Sequence, residues 1–300
     1  MKLNHENLKG FYTALVTPFN NKKVDFPSLK KLIEWQIKGG INGLVINGTT
    51  AESPTLSEDE VQSIFKFIKD IVGQSIPLVV GTGSNSTSKT VEITKKAQDW
   101  GADGALVVVP YYNKPSQNGL IQHFQEVSNN CSLPIIAYNV PGRTITSMNV
   151  NTIHEVAKLK NIIGIKEASG DLKFDSEMIQ KLNTLSEKKF NILSGDDPTF
   201  LDFISLGGHG VISVMSNLFP KKSTFWYNNF NNNESLTKKD FNNYLELIKI
   251  MYCEANPIPV KWMLYQQGII QSPELRLPLT TLDSKFHDPI KKLLNECEIN

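Results

Sequence analysis

The chain predicts an α/β fold, a closed (β/α)8 barrel of the TIM-barrel class followed by a small C-terminal helical region. Three observations carry this expectation. Short β-branched apolar runs alternate with amphipathic segments about eight times, at a spacing of roughly 25–30 residues, the mark of βαβ units and a parallel sheet. The runs are almost continuously apolar, as in strands buried on both faces. The loops are asymmetric: helix-to-strand turns are tight and glycine-rich (Gly39-Gly40, Gly101, Gly207-Gly208), whereas strand-to-helix loops are longer and carry the polar residues.

In chain order, residues 11–17 form a first strand ended by Pro18. Phe26, Leu29, Leu32, Ile33 and Ile37 then give helical spacing to 26–38, stopped by two glycines. A second strand covers 43–47. Ser57 with Glu60 makes a capping box that opens a helix to about residue 72. A third strand (77–80) leads to a helix over 87–100, a fourth (105–109) to one over 117–128, and a fifth (134–138) to one over 149–158. The sixth strand is the Ile162-Ile163-Gly164-Ile165 run ending in Lys166, with a helix near 174–184. A seventh (190–193) precedes a helix near 198–206, and a weak eighth covers 210–213. Beyond 217, helices are expected over 220–230, 236–252, 257–268 and 285–296. The expected division is a barrel over 1–225 and a helical region over 226–300.

Composition narrows the function. Hydrophobic residues at 40% and charged residues at 20% suit a globular chain with a large core. A formal net charge of +1 with no basic, aromatic-interleaved stripe argues against nucleic acid. No apolar run approaches a membrane span, and the polar start lacks a signal-peptide core, so a cytoplasmic protein is expected. Cys131, Cys253 and Cys297 lie too far apart for a disulfide framework or metal knuckle, and the five histidines have no metal-ligand spacing. Gly81-Thr-Gly83 lacks the third glycine of a dinucleotide loop, Ser86 standing there, and no serine sits in a nucleophile elbow. The sequon Asn47-Gly-Thr49 is incidental without a secretory signal. No cofactor or metal is expected.

The strand ends point to covalent carbonyl chemistry. In such a barrel the C-terminal ends of the strands carry the active site. Those ends hold Thr49 and Thr50, Tyr111 and Tyr112, Tyr138 and Asn139 with Arg143 beyond, Lys166, and Ser194-Gly195-Asp196. An amine with phenols and hydroxyls suits attack on a ketone, the hydroxyls relaying the protons of carbinolamine formation and dehydration. A lysine with an ordinary pKa of about 10.4 is neutral at pH 7 in roughly one molecule in 2,500, so an amine nucleophile gains from the dry setting of an isoleucine-rich strand. Arg143 suits a carboxylate, whose two oxygens its fork can bind. Taken singly, each residue has an ordinary structural explanation: a strand running out into solvent, a satisfied core phenol, a solvated turn. Their recurrence at the same end of successive strands argues otherwise.

These residues also carry a resemblance. The motifs are Thr13-Ala-Leu-Val-Thr-Pro-Phe19, Gly48-Thr-Thr-Ala-Glu-Ser53, Pro110-Tyr-Tyr-Asn-Lys-Pro115, Tyr138-Asn-Val-Pro-Gly-Arg-Thr144, Gly164-Ile-Lys-Glu-Ala-Ser-Gly170, Ser194-Gly-Asp-Asp197, Gly207-Gly-His-Gly-Val-Ile-Ser213 and Asn256-Pro-Ile-Pro-Val-Lys261. Over nearly its whole length the chain resembles the pyruvate-dependent Schiff-base aldolases and lyases of the N-acetylneuraminate lyase type. Within them it is similar to the dihydrodipicolinate synthase family, which Arg143 favours over the sialic acid lyases and 2-keto-3-deoxy acid aldolases. A non-catalytic keto-acid-binding relative is the less favoured alternative.

The resemblance implies a synthase that condenses pyruvate with L-aspartate 4-semialdehyde in lysine and diaminopimelate biosynthesis. It implies Lys166 as the Schiff-base lysine and Tyr138 as the central acid/base. Tyr138 would be linked through Thr49 to Tyr112, which is lent by a neighbouring subunit. It implies Thr49 and Thr50 on the pyruvate carboxylate, the backbones of Gly195 and Ile212 along the pocket, Arg143 on the semialdehyde carboxylate, and a homotetramer built as a dimer of dimers. The sequence departs from the family at two places. Ala51 stands where the family usually has glycine, which would carry a cost if that backbone needs positive φ. At the family's lysine-feedback site, Ser53, Asn85 and Tyr111 match, but Glu58, Val61 and Lys89 do not. Lysine inhibition is therefore expected to be weak or absent.

Overall fold

The computed structural model describes residues 2–185 and 188–299. Eight parallel strands close a barrel: β1 (Gly10–Ala14), β2 (Gly43–Ile46), β3 (Leu78–Gly81), β4 (Gly104–Val108), β5 (Ile135–Asn139), β6 (Ile162–Glu167), β7 (Asn191–Ser194) and β8 (Gly210–Ser213). Their order around the barrel is β1-β8-β7-β6-β5-β4-β3-β2. Nearly every strand residue is buried, which is why the strands read as apolar runs rather than alternating ones.

Contacts divide the chain into two compact units. One comprises the residues up to Lys9 with Gln74–Ile212, the other Gly10–Gly73 with the chain from Ser213 onward. In the first unit the helices Thr87–Asp99, Gln117–Asn130, Val150–Ala157 and Leu172–Leu182 each follow a polar cap: Ser86, Ser116, Asn149 and Asp171 accept from backbone N–H groups of the first turn. The N-terminal segment packs at the opposite end of these strands from the candidate site. Leu8 is fully buried, its carbonyl accepting from Asn191 Nδ2 at 2.9 Å, and Leu3 N donates to Asp103 O at 2.9 Å.

In the second unit β1 pairs with β2 (Tyr12↔Gly43, Ala14↔Val45), flanked by helices Phe26–Lys38 and Glu58–Val72. The expected Ser57–Glu60 capping box is present in both directions. A buried hydroxyl and amide group ties β1 to its surroundings: Thr13 Oγ1 lies 2.7 Å from Gln36 Oε1 and 2.8 Å from Ser216 Oγ. Trp226, fully buried, meets Phe241 and Tyr244 edge-on with ring centroids 5.1 and 5.2 Å away, and its Nε1 donates to Asp240 Oδ2 at 2.7 Å.

Several boundaries differ from expectation, each with a physical reason. The first strand ends at Ala14 rather than 17, because Asn217 takes over the backbone beyond it. Its Nδ2 donates to Ala14 O at 2.8 Å, and its Oδ1 accepts from Val16 N at 3.2 Å. A small hairpin, Phe19–Asn20 with Lys23–Val24, goes unseen in the sequence because its strands are two residues long. Its turn holds Asn21 and Lys22 at φ 51° and 64°. The helix expected over 236–252 breaks into Glu234–Asn242 and Leu245–Ile250, where two poor helix formers, Asn242 and Asn243, precede the buried Tyr244. The last two helices are Ile258–Gln266 and His287–Glu296. Among the described residues no helix is long and apolar enough to cross a membrane.

Candidate active site

In the first unit β5 and β6 run side by side with Tyr138 paired to Lys166 and Asn139 to Glu167. Alternation along a strand sends paired residues to the same face. Tyr138 and Lys166 share one face, and the Lys166 ammonium lies 4.5 Å from the centroid of the Tyr138 ring. Both are almost fully buried, at 6% and 5% exposure. The next pair faces the other way: Asn139 Nδ2 donates to Glu167 Oε2 at 2.8 Å, and the other Glu167 oxygen accepts from Ser169 N at 2.8 Å. Burial pushes the Glu167 carboxyl up, opposed by these bonds. Asp175, on the helix after β6, is pushed up to about 7 by burial and by the charges of Glu167, Asp171 and Asp196.

Gly195, directly after β7, lies under the Lys166 side chain. A Cβ there would stand 2.7 Å from Lys166 Cε and 2.5 Å from Ala168 Cβ. Its N–H donates to Glu167 O at 2.6 Å, locking the β7 end to the β6 end. Ile212 is fully buried on β8. Arg143 lies exposed in the short helix Pro141–Thr144 that follows β5. Tyr112, after β4, is 86% exposed and has φ 77°, a left-handed conformation unusual for an aromatic residue.

In the second unit β2 leads into two short 3₁₀ turns, Thr49–Ala51 and Ser53–Thr55. Thr50 is buried, and its Oγ1 accepts from Asn256 Nδ2 at 2.9 Å. Thr17 Oγ1 donates to Ala51 O at 2.9 Å. The left-handed residue of this loop is Glu52 (φ 59°), not Ala51, which sits inside the first turn at 2% exposure. The replacement at 51 therefore carries no positive-φ penalty. Among the described residues no group of three His, Cys, Asp or Glu side chains is placed to hold a metal ion.

The family model of the dihydrodipicolinate synthetase family matches residues 7–297. The chain belongs to that family. The 4-hydroxy-tetrahydrodipicolinate synthase of Bdellovibrio bacteriovorus is 48% identical over 282 residues, spanning 93% of this chain and 94% of the relative. The chloride-inhibited dihydrodipicolinate synthase of Acinetobacter baumannii, solved with pyruvate, superposes with a TM-score of 0.93 at 41% identity, covering 98% and 100%. A monomeric dihydrodipicolinate synthase variant superposes with a TM-score of 0.94 at 39% identity, covering 97% of each chain.

The structure thus brings Lys166, Tyr138 and Gly195 of this dihydrodipicolinate synthetase family member together. It sets Thr49 and Thr50 at the end of β2, and leaves Arg143 and Tyr112 exposed. The sequence places Asn139 beside Tyr138 among the site residues, but the structure turns it to the outer face of β5, where it bonds Glu167 of β6. The sequence reading gives no role to Glu167, nor to Glu52, Asn256, Lys261 and Arg276 around the threonine loop. The signal for the Asn139–Glu167 pair was available, since period-2 alternation next to two inward residues predicts two outward ones.

Proposed function

We propose that this chain is a 4-hydroxy-tetrahydrodipicolinate synthase, a Schiff-base-forming lyase condensing pyruvate with L-aspartate 4-semialdehyde. The observation that carries the reading is the Lys166 amine, buried at the C-terminal end of β6 and 4.5 Å from the centroid of the Tyr138 ring on the adjacent strand. The relatives that bear this enzyme's name support it.

In this reading the Lys166 amine attacks the ketone carbon of pyruvate. The carbinolamine loses water to give an imine, and loss of a methyl proton gives the enamine. The enamine carbon attacks the aldehyde of the second substrate. The substrate's own amine then displaces Lys166, closing the ring. Tyr138 moves the protons of these steps, with Thr49 and Tyr112 as its relay. Thr49 and Thr50 hold the pyruvate carboxylate, the backbones of Gly195 and Ile212 line the pocket, and Arg143 holds the carboxylate of the semialdehyde. The reaction needs no metal or cofactor for any of these steps.

The resemblance assigns Tyr112 to a neighbouring subunit's relay, and its 86% exposure and left-handed backbone suit a side chain held outward for a partner. We therefore propose a homotetramer built as a dimer of dimers, although one close structural relative is described as monomeric. Sedimentation of the purified protein tests the assembly.

Borohydride reduction in the presence of pyruvate, followed by intact mass and peptide mapping, tests the chemistry. A pyruvyl adduct on Lys166, with turnover on aspartate semialdehyde, is expected. No adduct on folded protein, or an adduct on another lysine, would overturn the assignment.

A further inference from the structure

The loop that carries Thr49 and Thr50 is built from two 3₁₀ turns, Thr49–Ala51 and Ser53–Thr55, joined at the left-handed Glu52. Short 3₁₀ turns have poor internal hydrogen-bond geometry, so such a loop takes its position from what grips it. The grip here is charged and buried. Glu52 Oε1 accepts from Lys261 Nζ at 2.7 Å, with both side chains at 0% exposure, and Glu52 Oε2 accepts from the Arg276 backbone N–H at 2.9 Å. The Arg276 guanidinium forks onto Glu60 at 2.8 and 2.5 Å and donates to Thr55 O at 2.8 Å, the far end of the same loop. The Phe19 ring lies close to both cations, its centroid 4.3 Å from Lys261 Nζ and 4.4 Å from Arg276 Cζ.

The elements that supply these groups matter as much as the distances. Asn256 and Lys261 flank the start of one helix, Ile258–Gln266. Asn256 donates to the Thr50 hydroxyl, and Lys261 grips the carboxylate two residues further along the loop. Two points of the threonine loop are thus pinned to a single rigid element. A buried ion pair is seldom the most stabilising choice for a core, because apolar residues of the same volume do as well or better. What it supplies is a fixed position, since both charges must stay together.

We propose that Glu52, Lys261 and Arg276 are positioning residues that hold the Thr49–Thr50 hydroxyls in the orientation that receives pyruvate. This rests on the reading that Thr49 and Thr50 bind the pyruvate carboxylate. The resemblance gives these three residues no role. If they served stability alone, their loss would lower the melting temperature and leave the kinetics of the folded enzyme unchanged.

The test compares the wild type with the double variant Glu52→Gln/Lys261→Met, which removes both charges together and keeps the acceptor for the Arg276 N–H. The folded double variant is expected to show a KM for pyruvate raised about tenfold or more. Its rate of borohydride-trappable adduct formation at low pyruvate should fall by the same factor, and its KM for aspartate semialdehyde should change less than twofold. Arg276→Met leaves the Glu52–Lys261 pair intact and covers the case in which the double variant does not fold. It is expected to raise the pyruvate KM about threefold. Wild-type trapping rates in a folded variant would overturn the proposal. Absence of any adduct in the wild type would instead overturn the function on which it rests.

Discussion

Gly195→Ala is the most direct test of the Lys166 geometry. Carbon atoms in ordinary contact lie about 3.5–4.0 Å apart. The new methyl would stand 2.5 Å from Ala168 Cβ and 2.7 Å from Lys166 Cε, short by about 1 Å on each side. The Ala168 side cannot yield, because its N–H donates to Asn139 O at 3.0 Å and the Gly195 N–H donates to Glu167 O at 2.6 Å, which fixes both backbones. The flexible end of Lys166 must move instead, by roughly 1 Å. Overpacking of this kind costs about 1–3 kcal/mol. A displacement of about 1 Å in a reacting group lowers rate by about a hundredfold. The assay is the rate of borohydride-trappable pyruvyl adduct, with steady-state turnover and a thermal melt of the same sample. Expected are a slower adduct, turnover reduced about a hundredfold and a melt lowered by a few degrees. A trapping rate within about threefold of wild type would show that the amine does not depend on the space above Gly195.

Three further outcomes are expected. Lys166→Ala abolishes the adduct and lowers turnover about a thousandfold or more, and Lys166→Arg does the same because a guanidinium stays protonated; mass spectrometry and turnover check both. Asp175, at about 7 in the folded protein against 3.8 ordinarily, holds a proton in the native state that the unfolded chain has released. Its contribution to stability is full below pH 4, declines as pH rises, and is gone above pH 7. Asp175→Asn should therefore raise unfolding free energy at pH 8 by about 1–4 kcal/mol and flatten the decline between about pH 4 and 7, measured by urea unfolding across pH; equal slopes in both proteins would rule this out. L-Lysine at about 1 mM should leave more than half of the activity, because the resemblance places Lys89 at the feedback site, where its ammonium would repel that of the ligand; half-inhibition at submillimolar lysine would contradict the charge argument.

What could be read from the sequence followed from local periodicity. The run Ile162-Ile163-Gly164-Ile165 announces a buried strand, Lys166 is conspicuous at its end, and the Ser57–Glu60 spacing announces a helix start. All three stand in the structure. What escaped notice depends on distance along the chain. Glu52 and Lys261 meet across 209 residues, and no periodicity relates them. The 19–24 hairpin is too short to show a period of two, and the 242–244 break sits inside a stretch with continuous helical spacing. Ala51 would carry a cost only at positive φ, a torsion the sequence does not show; the left-handed residue of this loop is Glu52, where the carboxylate is held at both oxygens.

The same alternation that hides the supporting residues explains why they lie where they do. A strand residue pointing into the barrel has as its neighbours two that point out, so each site residue on β5 and β6 is followed at once by one facing the helices. Lys166 is followed by Glu167 and Tyr138 by Asn139, and the two outer residues bond to each other at 2.8 Å just as the two inner ones lie side by side. The outer pair cannot touch substrate, yet it fixes the register of the strands that carry the amine and the phenol. Truncating Asn139 would leave the buried Glu167 carboxyl short of a donor, a penalty of about 1–3 kcal/mol. Relief of that penalty would come through movement of the β6 end, and Lys166 would move with it.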